Sequence, residues 1–278
     1  MIFLSRPLIR IEDADDPRIA GFREIRERDL TRREGRFVAE GTVVLNLLVD
    51  SHTSAGAFAA ESLLLLENRV EGVASLIERL PDDVPVHIAS KTVMNAIAGF
   101  DIHRGVLALG IRRNAPTAQA LLASLPANAL VVAACGIANH DNIGAIFRNA
   151  AAFGADAVLL DDTCCDPLYR KALRVSVGSV LRIPYAREGS VAALLTALRE
   201  DRFSLWGLSP RGTVDIRQIA PGNRAALLTG AEGEGLPQAV LASIQTARIP
   251  QAPGLDSLNA GTATGVALFA IASAMGRI

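Results

Sequence analysis

The feature that most constrains this chain lies in its second half. The candidate strands there, Ala129–Cys135, Ala157–Leu160, Phe203–Leu208, Ala225–Thr229 and Ala247–Ile249, are largely apolar rather than alternating apolar and polar. A strand with one face in water alternates; a continuously apolar strand needs both faces covered, which is the situation of a parallel sheet between helices. Helical periodicity falls between them, at Asn142–Phe153, Pro167–Val177, Val191–Arg199 and Ala260–Met275. Asp166 before Pro167 reads as an N-cap followed by a first-turn proline. An α/β fold with a parallel sheet is therefore expected from about residue 127 to the end.

The first half alternates less regularly. Thr42–Ser51, Val73–Leu80 and Lys91–Ala98 read as helices, and Ser62–Leu66, Val84–Ala89 and Gly105–Ile111 as strands. Ile19–Leu30 carries a thin apolar stripe among Arg and Glu and reads as a surface helix. Residues 1–112 are expected to form a small α/β domain with a charged helical extension. Residues 113–126, bounded by prolines, are expected to be a linker, and 127–278 a second domain.

Composition excludes several classes. No apolar run approaches the roughly 18–20 residues needed to span a bilayer, and MIFLSRPLIR is not a signal-peptide pattern, so a cytoplasmic protein is expected. The formal net charge of −1 argues against a sequence-blind polyanion binder held by bulk charge. Cys135, Cys164 and Cys165 form no CxxC pair, and neither a metal site nor a disulfide is expected.

Three segments sit just past strand ends, where open parallel sheets gather ligands. In the first, Asn139–Gly154, Asp141 or Asn142 can cap a helix whose stripe is Ile143, Ile146, Phe147 and Ala150, with Arg148 off the stripe and Gly144 one turn before it. The second, Leu227–Pro237, has three glycines spaced G-x-x-G-x-G, which is neither the dinucleotide fingerprint nor a P-loop; its two acids disfavour a phosphate. In the third, Ile249–Gly265, Ser257 and Asn259 are natural capping residues before a helix rich in small side chains. Taken singly, each segment has a plain structural explanation: a surface arginine, a tight turn, a cap.

In combination and in this order the three resemble the signature motifs of the SpoU (TrmH-type) RNA ribose 2′-O-methyltransferases of the SPOUT superfamily. Asn142–Gly154 resembles N-x-G-A-I-x-R-x-A-x-x-F-G, Gly230–Leu236 resembles G-x-E-G-x-G-L, and Ile249–Gly261 resembles in part I-P-M-x-G-x-x-S-L-N-V-S. Arg36-Phe-Val-Ala-Glu-Gly41 and Arg104-Gly-Val-Leu-Ala108 resemble the family's small L30e-like substrate-binding domain. The resemblance implies a C-terminal parallel-sheet domain with a deep trefoil knot, a homodimer, and S-adenosylmethionine held by Gly230, Ile249 and Leu258, with Thr229 and Gly235 beside them. It implies Arg148 as the catalytic residue, with Asn142, Glu232, Ser257 and Asn259 around it. A guanidinium is not deprotonated in proteins, so Arg148 is better read as a clamp on phosphate and developing alkoxide than as a base, with Glu232 orienting it. The chain departs from the pattern at Gln251 (for Met), Ala260 (for Val) and Gly261 (for the second Ser).

The expected activity is methylation of a ribose 2′-OH in structured RNA. A separate front domain tilts the substrate toward rRNA over tRNA, by analogy. The alternatives are a catalytically silent RNA-binding relative and, against the glycine spacing, a nucleotide-cofactor oxidoreductase.

Overall fold

The structure, a computed structural model, describes residues 5–23, 35–98, 105–254 and 257–278. Contacts divide the chain into two compact units: Met1–Asn114 with Leu168–Leu181, and Ala115–Pro167 with Arg182–Ile278.

The first unit is built on a five-stranded mixed sheet of β1 (Leu8–Ile11), β2 (Arg36–Glu40), β3 (Phe58–Leu66), β4 (Val86–Ala89) and β5 (Val106–Arg112), in the order β1-β4-β3-β5-β2. β1, β4 and β3 run parallel, and β5 is antiparallel to both β3 and β2. Its helices include α1 (Thr42–Thr53), α2 (Val70–Ile77) and α3 (Lys91–Ala98). Leu64, Leu66, Met94, Ile97 and Leu107 share one core cluster with Ile11, Ile19 and Phe22. The stretch read as a helix over Ile19–Leu30 begins instead as a 3₁₀ turn, Pro17–Phe22, started by Pro17 and by Asp16, whose carboxylate accepts from the Arg18 amide. Residues 24–30, like Arg104, lie outside the described residues.

From Ala115 the chain runs through α4 (Ala118–Ala123), β6 (Ala129–Ala134), α5 (His140–Ala152), β7 (Ala157–Leu160), α6 (Arg170–Val175), β8 (Tyr185–Arg187), α7 (Val191–Glu200), β9 (Ser204–Leu208), β10 (Val214–Asp215), β11 (Arg224–Thr229), α8 (Gln238–Leu241), β12 (Gln245–Arg248) and α9 (Ala260–Ala274). The strands of the second unit form one seven-stranded sheet, β10-β12-β9-β11-β6-β7-β8, in which every pair is parallel. All of β6 and β7 is buried, and all five predicted strands lie inside this sheet, between the edge strands β10 and β8. The uniform apolarity of these strands thus has the expected cause. On one face, Val131, Ala133 and Leu159 meet Leu194, Leu195 and Leu198 of α7. Burying each such Leu or Val side chain stabilises the fold by about 1.5–3 kcal/mol.

Three expectations need correction. Residues 113–126 are not simply a linker: Thr117 caps α4 by accepting from the Ala120 amide, and Ala118, Leu121 and Leu122 join the second unit's core. The helix expected over Pro167–Val177 is the shorter α6, entered at Tyr169, so Asp166 does not cap it. Residues 168–181 were expected inside the C-terminal domain and group with the first unit, because α6 packs on β2. Arg170 reaches the buried Glu40 carboxylate at 3.5 Å, and Gly178 lies against Leu47 and Val44 of α1.

Candidate active site

The carboxyl ends of β9, β11 and β12 open onto one cavity of about 230 Å³ in the second unit. Three stretches line it: Leu208–Pro210 after β9, Thr229–Gly235 after β11, and Ile249, Gln251 and Ser257–Asn259 before α9. Of the expected site residues, Thr229, Gly230, Glu232, Gly235, Ile249, Ser257, Leu258 and Asn259 line this cavity. Asn142 and Arg148 do not.

The β11 loop is shaped by a tight reversal. Gly235 donates its amide to the Ala231 carbonyl at 2.9 Å, forming an isolated antiparallel bridge, with Gly233 and Gly235 at positive φ. Gly230 lies so close to the returning strand that a Cβ there would run into the backbone of Gly235 and Leu236. A glycine at 230 is therefore a steric requirement of the loop, and the loop's backbone is left bare toward the cavity.

Asn259 joins the three motifs. As N-cap of α9 it accepts from the Thr262 amide at 3.1 Å. Its amide nitrogen donates to Asn142 Oδ1 of α5 at 2.7 Å and to Glu232 Oε1 of the β11 loop at 2.6 Å. One side chain thereby ties two helices to the glycine loop, and both amide hydrogens are used. Asn142 is buried and Glu232 exposed. The expected capping of α5 by Asp141 or Asn142 falls instead to Asn139, whose side chain accepts from the Asp141 amide at 2.8 Å. That releases Asn142 to face Asn259.

Helices α5 and α9 approach closely through small residues. A Cβ on Gly261 would come within 2.6 Å of the Ala145 Cβ, and one on Gly265 within 2.8 Å of the Asn149 amide nitrogen. Asn149 Nδ2 donates to the Gly261 carbonyl at 2.8 Å. In this chain Ala145 therefore stands where a side chain on Gly261 would go; the family pattern has the same alanine, so this contact does not explain why Ser is replaced by Gly here.

Arg148, on α5, is exposed and makes no hydrogen bond or ion pair with the described residues. The expectation that Glu232 orients it is not met; Glu232 is held by Asn259. Sequence reasoning missed Leu208, Ser209 and Pro210, which form one wall. They follow the predicted strand Phe203–Leu208 directly, so the rule that ligands gather at strand carboxyl ends could have found them. The cysteines stand apart from this chemistry. Burial, with the Asp161 charge adding to it, pushes the Cys135 thiol up to about 12, and burial pushes Cys165 up to about 12 and Cys164 higher still. None is a thiolate at neutral pH. Among the described residues no group of three or more His, Cys, Asp and Glu side chains is placed to hold a metal.

The sequence model of the SpoU rRNA methylase family matches residues 129–269, a span that holds the parallel sheet and all three loops. The chain belongs to the SpoU rRNA methylase family. A further similarity covers nearly the whole chain: an uncharacterised tRNA/rRNA methyltransferase of Mycobacterium tuberculosis is 37% identical over 269 residues, 92% of this chain and 89% of that one. The 23S rRNA (guanosine-2′-O-)-methyltransferase RlmB of Haemophilus ducreyi is 28% identical over 210 residues, 74% of this chain and 84% of its own. Among solved structures, the AdoMet-bound rRNA methyltransferase of Sinorhizobium meliloti superposes with a TM-score of 0.80 at 25% identity, over 95% of this chain and 97% of that one. Membership in an RNA-methylating family sets aside the oxidoreductase alternative.

Proposed function

We propose that this SpoU family member transfers a methyl group from S-adenosylmethionine to a ribose 2′-OH of structured RNA, ribosomal RNA before tRNA. The observation that carries the reading is the Asn259 junction, which fastens Asn142, Glu232 and the start of α9 around one cavity at the strand ends. The cavity suits the cofactor chemically. Its walls combine apolar Leu208, Ala247, Ile249 and Leu258 with the bare backbone of Thr229–Gly235, and among the described residues it contains no cationic side chain that would repel a sulfonium. In this reading Gly230, Ile249 and Leu258 hold the cofactor, with Thr229 and Gly235 at its edge. S-adenosylmethionine, when bound, supplies a methyl group already activated by the sulfonium.

The chain's own work is then positioning. Arg148 projects from α5 with its guanidinium free among the described residues, so it is available to a phosphate beside the target ribose and to the 2′-oxygen as negative charge grows on it. Asn142 and Asn259 fix the frame from which Arg148 projects. Ser257 stands at the cavity wall, where its hydroxyl can meet the ribose. Glu232 and Asn259 are exposed, so a released proton has a path to water at the mouth.

The same reading extends to assembly and fold. Phe153, Val266 and Phe269 make an apolar face on α5 and α9, with Val266 and Phe269 exposed and Phe153 edge-on to Phe269 at 5.8 Å. We assign this face to a homodimer, which brings Arg148 near the partner. The segment after β12 shares its cavity with the loops after β9 and β11, and we read it as the closing pass of a trefoil knot. The mixed sheet of the first unit is read as an L30e-like substrate-binding domain, and the site of action as the cytoplasm. Incubation with methyl-labelled S-adenosylmethionine and unmodified total RNA, followed by ribose-methylation mapping, tests the activity. RNA that stays unlabelled while the cofactor binds would instead indicate a silent RNA-binding relative.

A further inference from the structure

Gln251 is the one residue lining the cavity, among those described, whose side chain has a buried polar atom without a hydrogen-bond partner: its carboxamide oxygen. Buried acceptors in folded proteins are nearly always paired, and an exception calls for a reason. Gln251 itself lines the cavity, and a small turn of its side chain brings the oxygen to an incoming donor.

The position of Gln251 narrows which donor. In the sheet order β12-β9-β11, β12 lies two strands from β11, about 9–10 Å away at roughly 4.8 Å per strand. Leu208 and Ala247 are paired neighbours on β9 and β12, and Ile249 and Gln251 continue from β12. This end of the cavity is apolar apart from Gln251 and the short Ser209 loop. The polar features, Glu232 and Asn259, stand on the β11 loop and α9. S-adenosylmethionine has a matching asymmetry: a flat adenine at one end and a charged amino acid at the other. An apolar slot takes the adenine, and the ring's exocyclic amino group is its only hydrogen-bond donor.

We infer that the Gln251 carboxamide oxygen accepts a hydrogen bond from the exocyclic amino group of adenine, making Gln251 a specificity-determining residue of the cofactor site. The inference rests on the cofactor reading above. It concerns a position where this chain departs from its family's usual Met, so it is a property of this protein and not of the motif.

Calorimetry on the full chain tests it with two probes, S-adenosylhomocysteine and S-inosylhomocysteine, in which an oxo group replaces the amino donor. Wild type is expected to bind the adenosyl compound at least about tenfold more tightly, because the oxo group would face the Gln251 oxygen and leave it unpaired. Gln251→Leu is expected to narrow that ratio to within about threefold, and Gln251→Glu, which keeps an acceptor, to preserve it. A ratio in Gln251→Leu as large as in wild type would overturn the inference while leaving the cofactor reading intact, as would a wild-type preference for the inosyl compound. Failure of wild type to bind either compound would overturn both.

Discussion

At the scale of single residues, the site depends on where side chains are missing as much as on where they are present. A Cβ on Gly261 would come within 2.6 Å of the Ala145 Cβ. Gly261→Ser, which restores the hydroxyl of the family pattern, should destabilise the protein by about 1–3 kcal/mol through overpacking. Ala145→Gly in the same chain should recover much of that loss; urea unfolding of the two variants checks both statements, and an unchanged midpoint in Gly261→Ser would refute the packing account. Arg148 is exposed and outside the cavity, so Arg148→Ala should lower methyl transfer to RNA by about 10²-fold or more while S-adenosylmethionine affinity stays within about twofold. Transfer near the wild-type rate would remove Arg148 from the mechanism. Eight of the ten expected residues share the cavity wall. The roles between residues are not legible in the sequence. Nothing in the order of Arg148, Glu232 and Asn259 along the chain indicates that Glu232 turns to the asparagine rather than the arginine, since that choice depends on distances set by the packing of α5 and α9.

At the scale of elements, the central strands were readable because burial on both faces leaves an unbroken apolar run, whereas short edge strands leave little trace. β10 has two residues and β8 three, too few for any period, and neither was expected. α4 reads as part of a linker because prolines flank it, yet they bound a six-residue helix that the core holds in place. β4 carries a different consequence. His87 is buried in it, and burial first, then the nearby Arg18 charge, pushes its pKa below the ordinary 6.5, with Asp16 acting weakly the other way. His52 is shifted in the same direction, mainly by burial and then by Arg113, while its Nδ1 accepts from the Ala60 amide at 3.1 Å. Both imidazoles are therefore neutral in the fold and take up protons more readily when unfolded. The stabilisation from this difference is complete above about pH 7 and fades as pH falls below the unfolded value of about 6.5. The urea midpoint should drop between pH 7.5 and 5, and His52→Gln with His87→Gln should flatten that drop. A wild-type midpoint constant across the range would contradict the assignment.

At the scale of the whole molecule, the exposed Phe269 and Val266 make self-association a concrete expectation. Phe269→Glu should convert a dimer to a monomer in sedimentation velocity and lower methyl transfer with it, since the proposed site lies beside that face. A wild-type chain that sediments as a monomer at micromolar concentration would exclude this assembly. The expected boundary is a single cut at residues 113–126. The chain in fact leaves its second unit after Pro167 to supply Leu168–Leu181 to the first, and then returns. Sequence patterning cannot reveal such an excursion, because α6 has the same helical signal whichever sheet it covers.

That excursion has a consequence for synthesis. The first unit is incomplete when Asn114 leaves the ribosome, since the helix that covers β2 has not yet been made. It can close only after Leu181 emerges, a delay of several seconds at roughly 5–20 residues added per second. By then β6, α5 and β7 of the second unit are also present. The usual sequence, in which an N-terminal domain finishes before its successor begins, is thus unavailable to this protein, and the nascent chain carries one complete but incompletely covered sheet beside another still being built.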